Sequence, residues 1–137
     1  MNNFITYEFN STFQSDLSEM SILMIGRGNN KFKRFSLGLQ SLEYIIKEIP
    51  ECEMKIISNT SNICDLENIS NDLNIRNNVK FYGYVSSPEI HFKNASLHII
   101  PSLTESFSLV LAETKIYGIP NILVGLDYIS LQIKILL

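Results

Sequence analysis

Two sets of residues in this chain could do chemistry. One is a pair of carboxylates, Glu105 and Glu113, eight positions apart; the other is a cluster of cations, Arg27, Lys31, Lys33 and Arg34. Carboxylates accept hydrogen bonds from hydroxyl groups. A guanidinium and an ammonium together neutralise phosphate oxygens, the first in a bidentate fork and the second as a point charge.

Both glutamates lie in the stretch 101–120, PSLTESFSLVLAETKIYGIP, which a short apolar run, LHII from Leu97 to Ile100, delivers. The spacing predicts a helix from near Ser106 to Gly118. Phe107, Val110, Leu111, Thr114 and Tyr117 share one face, and Leu109, Ala112 and Ile116 occupy the other. A helix apolar nearly all round is expected to be buried. Thr104 or Ser106 can cap its first turn, and Gly118 followed by Ile119-Pro120 stops it. A serine-rich first turn with free amides at the positive end of the dipole suits a phosphate. Glu113 sits two turns in, among Leu109, Ala112 and Ile116, where an ionised carboxylate needs a partner. A Lys or Arg of the same domain would serve, and so would a ligand with hydroxyl donors such as a ribose.

The elements that must position these groups follow in chain order. Residues 1–19 have no clear period and read as an incoming linker. Ser21–Ile25 is a continuous apolar strand of the kind found inside parallel sheets, and it runs into the Gly26-Arg27-Gly28 loop with its cations. A lone G-x-G without a third glycine, in so basic a loop, is not a dinucleotide fingerprint. Ser36 is expected to cap a helix through Ile49, with Leu39, Leu42, Ile46 and Ile49 inward, and Pro50 ends it. Met54–Ile57 is a second strand, and a polar turn leads to a helix over 63–73. Val79–Tyr82 is a third strand with Gly83-Tyr84-Val85 at its exit. Pro88 opens a short helix reaching about Asn94. Leu97–Ile100 and Asn121–Val124 complete five strands. Strands alternating with helices predict an α/β domain with a doubly wound parallel sheet, Rossmann-like, whose ligands bind at the carboxyl edge.

Composition narrows the possibilities. At 137 residues and 45% hydrophobic content the chain fills one domain with a core. A net charge of −3 supplies no electrostatic footprint for nucleic acid. No apolar run has the roughly 20 residues of a membrane span, and the N-terminus lacks a signal-peptide pattern. Cys52 and Cys64 read as reduced thiols. Asp65-Leu66-Glu67 lies in an expected surface helix and His91 and His98 in structural positions, so no metal site is expected.

The segment Glu105-Ser-Phe-Ser-Leu-Val-Leu-Ala-Glu113 resembles the E-x7-E signature of the retaining glycosyltransferases of family 4, also described as glycosyl transferases group 1. The preceding A-S-L-H-I-I-P-S, the following Y-G-I-P, the G-R with a lysine downstream, and F-Y-G-Y-V with its short helix are similar to the same family. The resemblance covers residues 20–126 and implies one half of a GT-B fold, the half that binds a UDP- or GDP-linked sugar. It implies that Arg27 and Lys33 stabilise the diphosphate leaving group, with Lys31 the competing lysine. It implies amides near Ser108, Leu109 and Val110 for phosphate or sugar, and Glu113 for the ribose. It implies Glu105 for the donor sugar, and Tyr84 and Val85 beside the base. Retention, metal independence and the absence of a further cofactor are implied in the same way.

This sequence departs from the family in having Ser106 and Ser108 where glycines flank the Phe, and in Lys115. The family's acceptor-binding domain is absent from it, and the tail 127–137 reads as truncated or divergent. The expectation is therefore the donor half of a hexosyltransferase, cytoplasmic, that a partner or acceptor can bring to a membrane. A separate domain or chain would supply the acceptor site. The alternative is a non-catalytic nucleotide-sugar-binding module or an inactive remnant.

Overall fold

The computed structural model describes residues 15–27, 30–103 and 109–124. Five strands are present among them: β1 Ser21–Ile25, β2 Glu53–Ile57, β3 Val79–Tyr82, β4 Leu97–Ile100 and β5 Asn121–Leu123. They form one parallel sheet in the order β3-β2-β1-β4-β5. Register aligns Ile25 with Ile57 and Ile57 with Tyr82, so the carboxyl ends of three adjacent strands finish level. The order reverses between β1 and β4, and the crevice of a doubly wound sheet opens at such a switch point.

Helices α1 (Asn30–Lys33), α2 (Phe35–Glu48), α3 (Thr60–Asp72), α4 (Glu89–Phe92) and α5 (Leu109–Ile116) connect the strands. Alternation along β1 sends Ile22 and Met24 to one face, where Phe35, Leu39 and Leu42 of α2 and Leu66 of α3 cover them. Leu23 points to the other face and packs with Phe92, Ala95, Tyr117 and Ile119. Each fully buried Leu, Ile, Met or Phe among them contributes roughly 1.5–3 kcal/mol. The sheet is thus covered on both faces, and its middle strand β1 is apolar after Ser21.

Two helices end in matched turns. Ile75 N–H donates to Ser70 O and Asn74 N–H to Asn71 O, with Asn74 at φ 57°. Ile119 N–H donates to Thr114 O and Gly118 N–H to Lys115 O, with Gly118 at φ 70°. Both are left-handed caps that satisfy the last carbonyls. Helix α2 begins at Phe35 with Arg34 in the cap position, so Ser36 lies inside the helix instead of capping it. Residues 15 and 16, inside the expected linker 1–19, are tied to the domain: Ser15 N–H donates to Tyr117 O at 2.7 Å and Asp16 N–H to Lys93 O at 2.8 Å.

Candidate functional site

The exits of β1, β2 and β3 and the start of α5 enclose one cleft of about 620 Å³, a volume ordinary for a small-molecule site. It brings together Arg27, Lys33, Tyr84, Val85, Leu109, Val110 and Glu113. Glu105 and Ser108 lie outside the described residues, as does the expected first turn of the helix from Ser106.

The cations reach the cleft through the backbone of the β1 exit. Gly26 N–H donates to Ile57 O at 3.0 Å, which extends the sheet by one residue. A Cβ on Gly26 would stand 3.2 Å from the ring of Phe35 and 3.3 Å from Cδ of Lys33. The glycine therefore lets the Lys33 stem lie against the end of the strand where Lys33 lines the cleft. The segment after residue 29 is a helical turn, α1, where the sequence suggested only a loop. That turn separates the two lysines: Lys33 lines the cleft, while Lys31 lies over the Phe32 ring at 5.9 Å and is not among the lining residues.

Arg34 does not face the cleft with the other cations. It adopts φ 50° and ψ 40°, a left-handed conformation that costs a non-glycine residue roughly 1–2 kcal/mol. Its Nε donates to Pro101 O at 2.6 Å and its Nη2 to Val124 O at 3.3 Å. The sequence shows a charge there, and the fold gives that charge two carbonyls at the ends of β4 and β5.

The opposite boundary is apolar. Tyr84, 70% exposed, follows β3, and Cζ of Arg27 lies 5.0 Å from its ring centroid. A guanidinium over a phenol face is attracted by the ring quadrupole. Val85 and Pro88 line the cleft as well, as do Ile25 and Ile57.

Ser58 and Asn59 at the β2 exit also line the cleft, and sequence reasoning left them in a turn. Ser58 is buried; its Oγ donates to Asn59 Oδ1 at 3.2 Å, and Asn62 Nδ2 donates to the same oxygen at 3.2 Å. Their position immediately after an apolar parallel strand is the signal that could have placed them.

Helix α5 departs from the expected burial. Leu111 and Thr114 are buried, as is Tyr117 just beyond, but Leu109 and Lys115 are exposed and Val110 and Glu113 half-buried. One face packs on the sheet and the other forms a wall of the cleft. Glu113 thereby lines the cleft, half-buried, and does not lie inside a core. Thr114 belongs to a buried polar network: His98 Nδ1 donates to Asn121 Oδ1 at 2.7 Å, and Thr114 Oγ1 donates to the same oxygen at 2.9 Å. An amide oxygen only accepts, so Nδ1 of His98 carries the proton. This network joins β4, β5 and α5 and gives His98 a structural role.

The remaining titratable groups sit elsewhere. His91 packs on the Tyr82 ring with centroids 4.4 Å apart, and burial, with Lys55 nearby, pushes its pKa below 6.5. Burial, then Glu51 and Glu53, push the Cys52 thiol up, so it stays protonated; Cys64 is exposed and both are free. Asp65 is exposed on α3, and Glu67 pairs with Arg76 at 3.0 Å. Among the described residues no three His, Cys, Asp or Glu side chains gather as a metal site. No helix among them is long and apolar enough to cross a membrane.

A cleft with two cations, a carboxylate and an apolar wall can hold an anion that carries hydroxyls and a flat ring. The chain is 26% identical over 104 residues to an uncharacterized glycosyltransferase of Haemophilus influenzae, covering 76% of this chain and 29% of that one. It is 29% identical over 90 residues to the poly(glycerol-phosphate) alpha-glucosyltransferase of Bacillus subtilis, covering 66% of this chain and 13% of that one. A variant of S. aureus TarM, solved with Fondaparinux, alpha-GlcNAc-glycerol and UDP, superposes with a TM-score of 0.78 at 22% identity. That superposition covers 92% of this chain and 25% of TarM. The chain thus spans less than a third of these proteins, and its fold is one part of a GT-B glycosyltransferase. The family model for glycosyl transferases group 1 matches residues 8–129, nearly the whole chain, which therefore belongs to that family.

Proposed function

We propose that this domain binds the nucleotide-diphosphate-sugar donor, UDP- or GDP-linked, of a retaining hexosyl transfer. Its acceptor site would be supplied by a domain or chain beyond these residues. The observation that carries the reading is the convergence of Arg27, Lys33 and Glu113 in one cleft at the switch point of the sheet. Arg27 and Lys33 neutralise the diphosphate and stabilise the charge that develops as the glycosidic bond breaks. Glu113 accepts from the ribose hydroxyls, and the base lies along Tyr84 and Val85. Glu105 contacts hydroxyls of the sugar, and the amides of Ser108, Leu109 and Val110 face phosphate or sugar. With two side-chain cations on the diphosphate the transfer runs without a metal ion or other cofactor, in the cytoplasm. A TarM variant was solved with UDP, which supports uracil as the base.

The cleft supports a second reading, since Arg27, Lys33 and Glu113 are groups that hold a ligand whether or not it reacts. In it the domain binds the nucleotide sugar without turning it over.

Calorimetric titration of the purified chain with UDP and with GDP tests the site. Saturable binding of one nucleotide is expected, weakened about tenfold in Arg27→Ala and in Glu113→Ala, since a hydrogen bond to a charged group is lost in each. A folded chain that binds neither nucleotide overturns both readings.

A further inference from the structure

Resting on the reading of the cleft as a diphosphate site, we infer that Arg34 is a positioning residue. It holds Lys33 at the diphosphate by locking the α1 turn to the far side of the switch point. Lys33 is flanked by two struts. On one side the Phe32 carbonyl accepts from Leu103 N–H at 2.8 Å. On the other the Arg34 guanidinium forks to Pro101 O at 2.6 Å and Val124 O at 3.3 Å. These partners are 67 and 90 residues away in sequence, and they lie at the exits of β4 and β5, across the strand-order reversal from β1.

Three features say that the fold holds this residue for its side chain. The position takes a left-handed backbone that glycine or asparagine adopts at less cost. Arginine there is accounted for by the fork, since a guanidinium presents donors in a fixed plane that one ammonium cannot match across two carbonyls. No described carboxylate pairs with it, so its charge is taken up by carbonyl dipoles. The left-handed turn also sends Phe35 into the core while Lys33, two residues earlier, lines the cleft. Between the struts, Pro101 and Leu103 begin the segment that leads to Glu105. Arg34 therefore sets the spacing between the lysine and the exits of β4 and β5, without itself lining the cleft.

The test compares wild type, Arg34→Gly, Lys33→Ala and the double variant, titrated with UDP and UMP, or GDP and GMP if the site takes guanine. Glycine relieves the backbone and removes only the fork. Lys33→Ala is expected to reduce the preference for diphosphate over monophosphate about tenfold, and Arg34→Gly to do nearly the same. The double variant should be no worse than Lys33→Ala alone, because the two residues act as one unit. Amide exchange at Leu103 and Val124 should accelerate about tenfold in Arg34→Gly while the amides of β1 and β2 stay protected. A merely structural role would weaken diphosphate and monophosphate alike, and that result overturns the inference. So does an Arg34→Gly protein with wild-type preference, or one with wild-type exchange at Leu103. If Arg34→Gly does not fold, Arg34→Lys, which keeps the charge and loses the fork, is read the same way. A wild type that binds no nucleotide refutes the diphosphate site and with it this role of Lys33, while the exchange measurement still shows whether the fork holds the two exits together.

Discussion

Gly26→Ala is the substitution that most directly separates packing from binding at this site. The glycine has no positive φ, so alanine meets no backbone penalty there, and whatever it does comes from one added methyl. That methyl would stand 3.2 Å from Cζ of Phe35 and 3.3 Å from Cδ of Lys33, where ordinary contact begins at 3.4 Å. One of the two neighbours must give by a few tenths of an ångström. Phe35 is 1% exposed and wedged among Ile22, Met24 and Leu39, whereas Lys33 is half-buried and lines the cleft. The lysine stem therefore moves. Mild overpacking of this kind costs about 1 kcal/mol, which for a domain of this size lowers Tm by about 4 °C. If Lys33 meets the diphosphate as proposed, displacing its stem lowers affinity for the nucleoside diphosphate about tenfold and leaves the monophosphate little affected. Thermal unfolding and paired titrations read the two effects separately. A variant with the lower Tm but an unchanged diphosphate preference would show that the contact between Gly26 and Lys33 does not set the lysine's position.

Two further outcomes are expected. His91 has its folded pKa held below 6.5 by burial and by Lys55, so the unfolded chain takes up the proton first as pH falls. Its contribution to stability is complete above pH 6.5 and declines as pH drops through the folded pKa, and urea unfolding at stepped pH should show that decline in wild type and not in His91→Gln. Gly118 holds φ 70°, and nothing lies within 4 Å of the point where a Cβ would stand. Gly118→Ala therefore costs only the left-handed conformation, about 1 kcal/mol, seen as a Tm about 4 °C lower with nucleotide binding intact.

By itself the sequence determined the elements and the address of the site. SILMI, LHII and their fellows are apolar runs bounded by Gly, Pro and polar turns, and Gly118 and Pro120 end a helix by rules that act over a few residues. An α/β order then sends ligands to the carboxyl edge, and the resemblance to glycosyl transferases group 1 singled out Arg27, Lys33, Tyr84 and Glu113, which line one cleft. The tertiary structure decided what depends on distant partners. Helix α5 looks apolar all round, yet half of it is a cleft wall, because only β4 and β5 determine which face is covered. Ser58 and Asn59 became lining residues only when β2 was set beside β1. Arg34 reads as one more phosphate-seeking cation in a basic run, and only the arrival of Pro101 and Val124 turns it away from the cleft. A long side chain can reach many places, and the contacts that choose among them join residues far apart in the chain, where no local pattern records them.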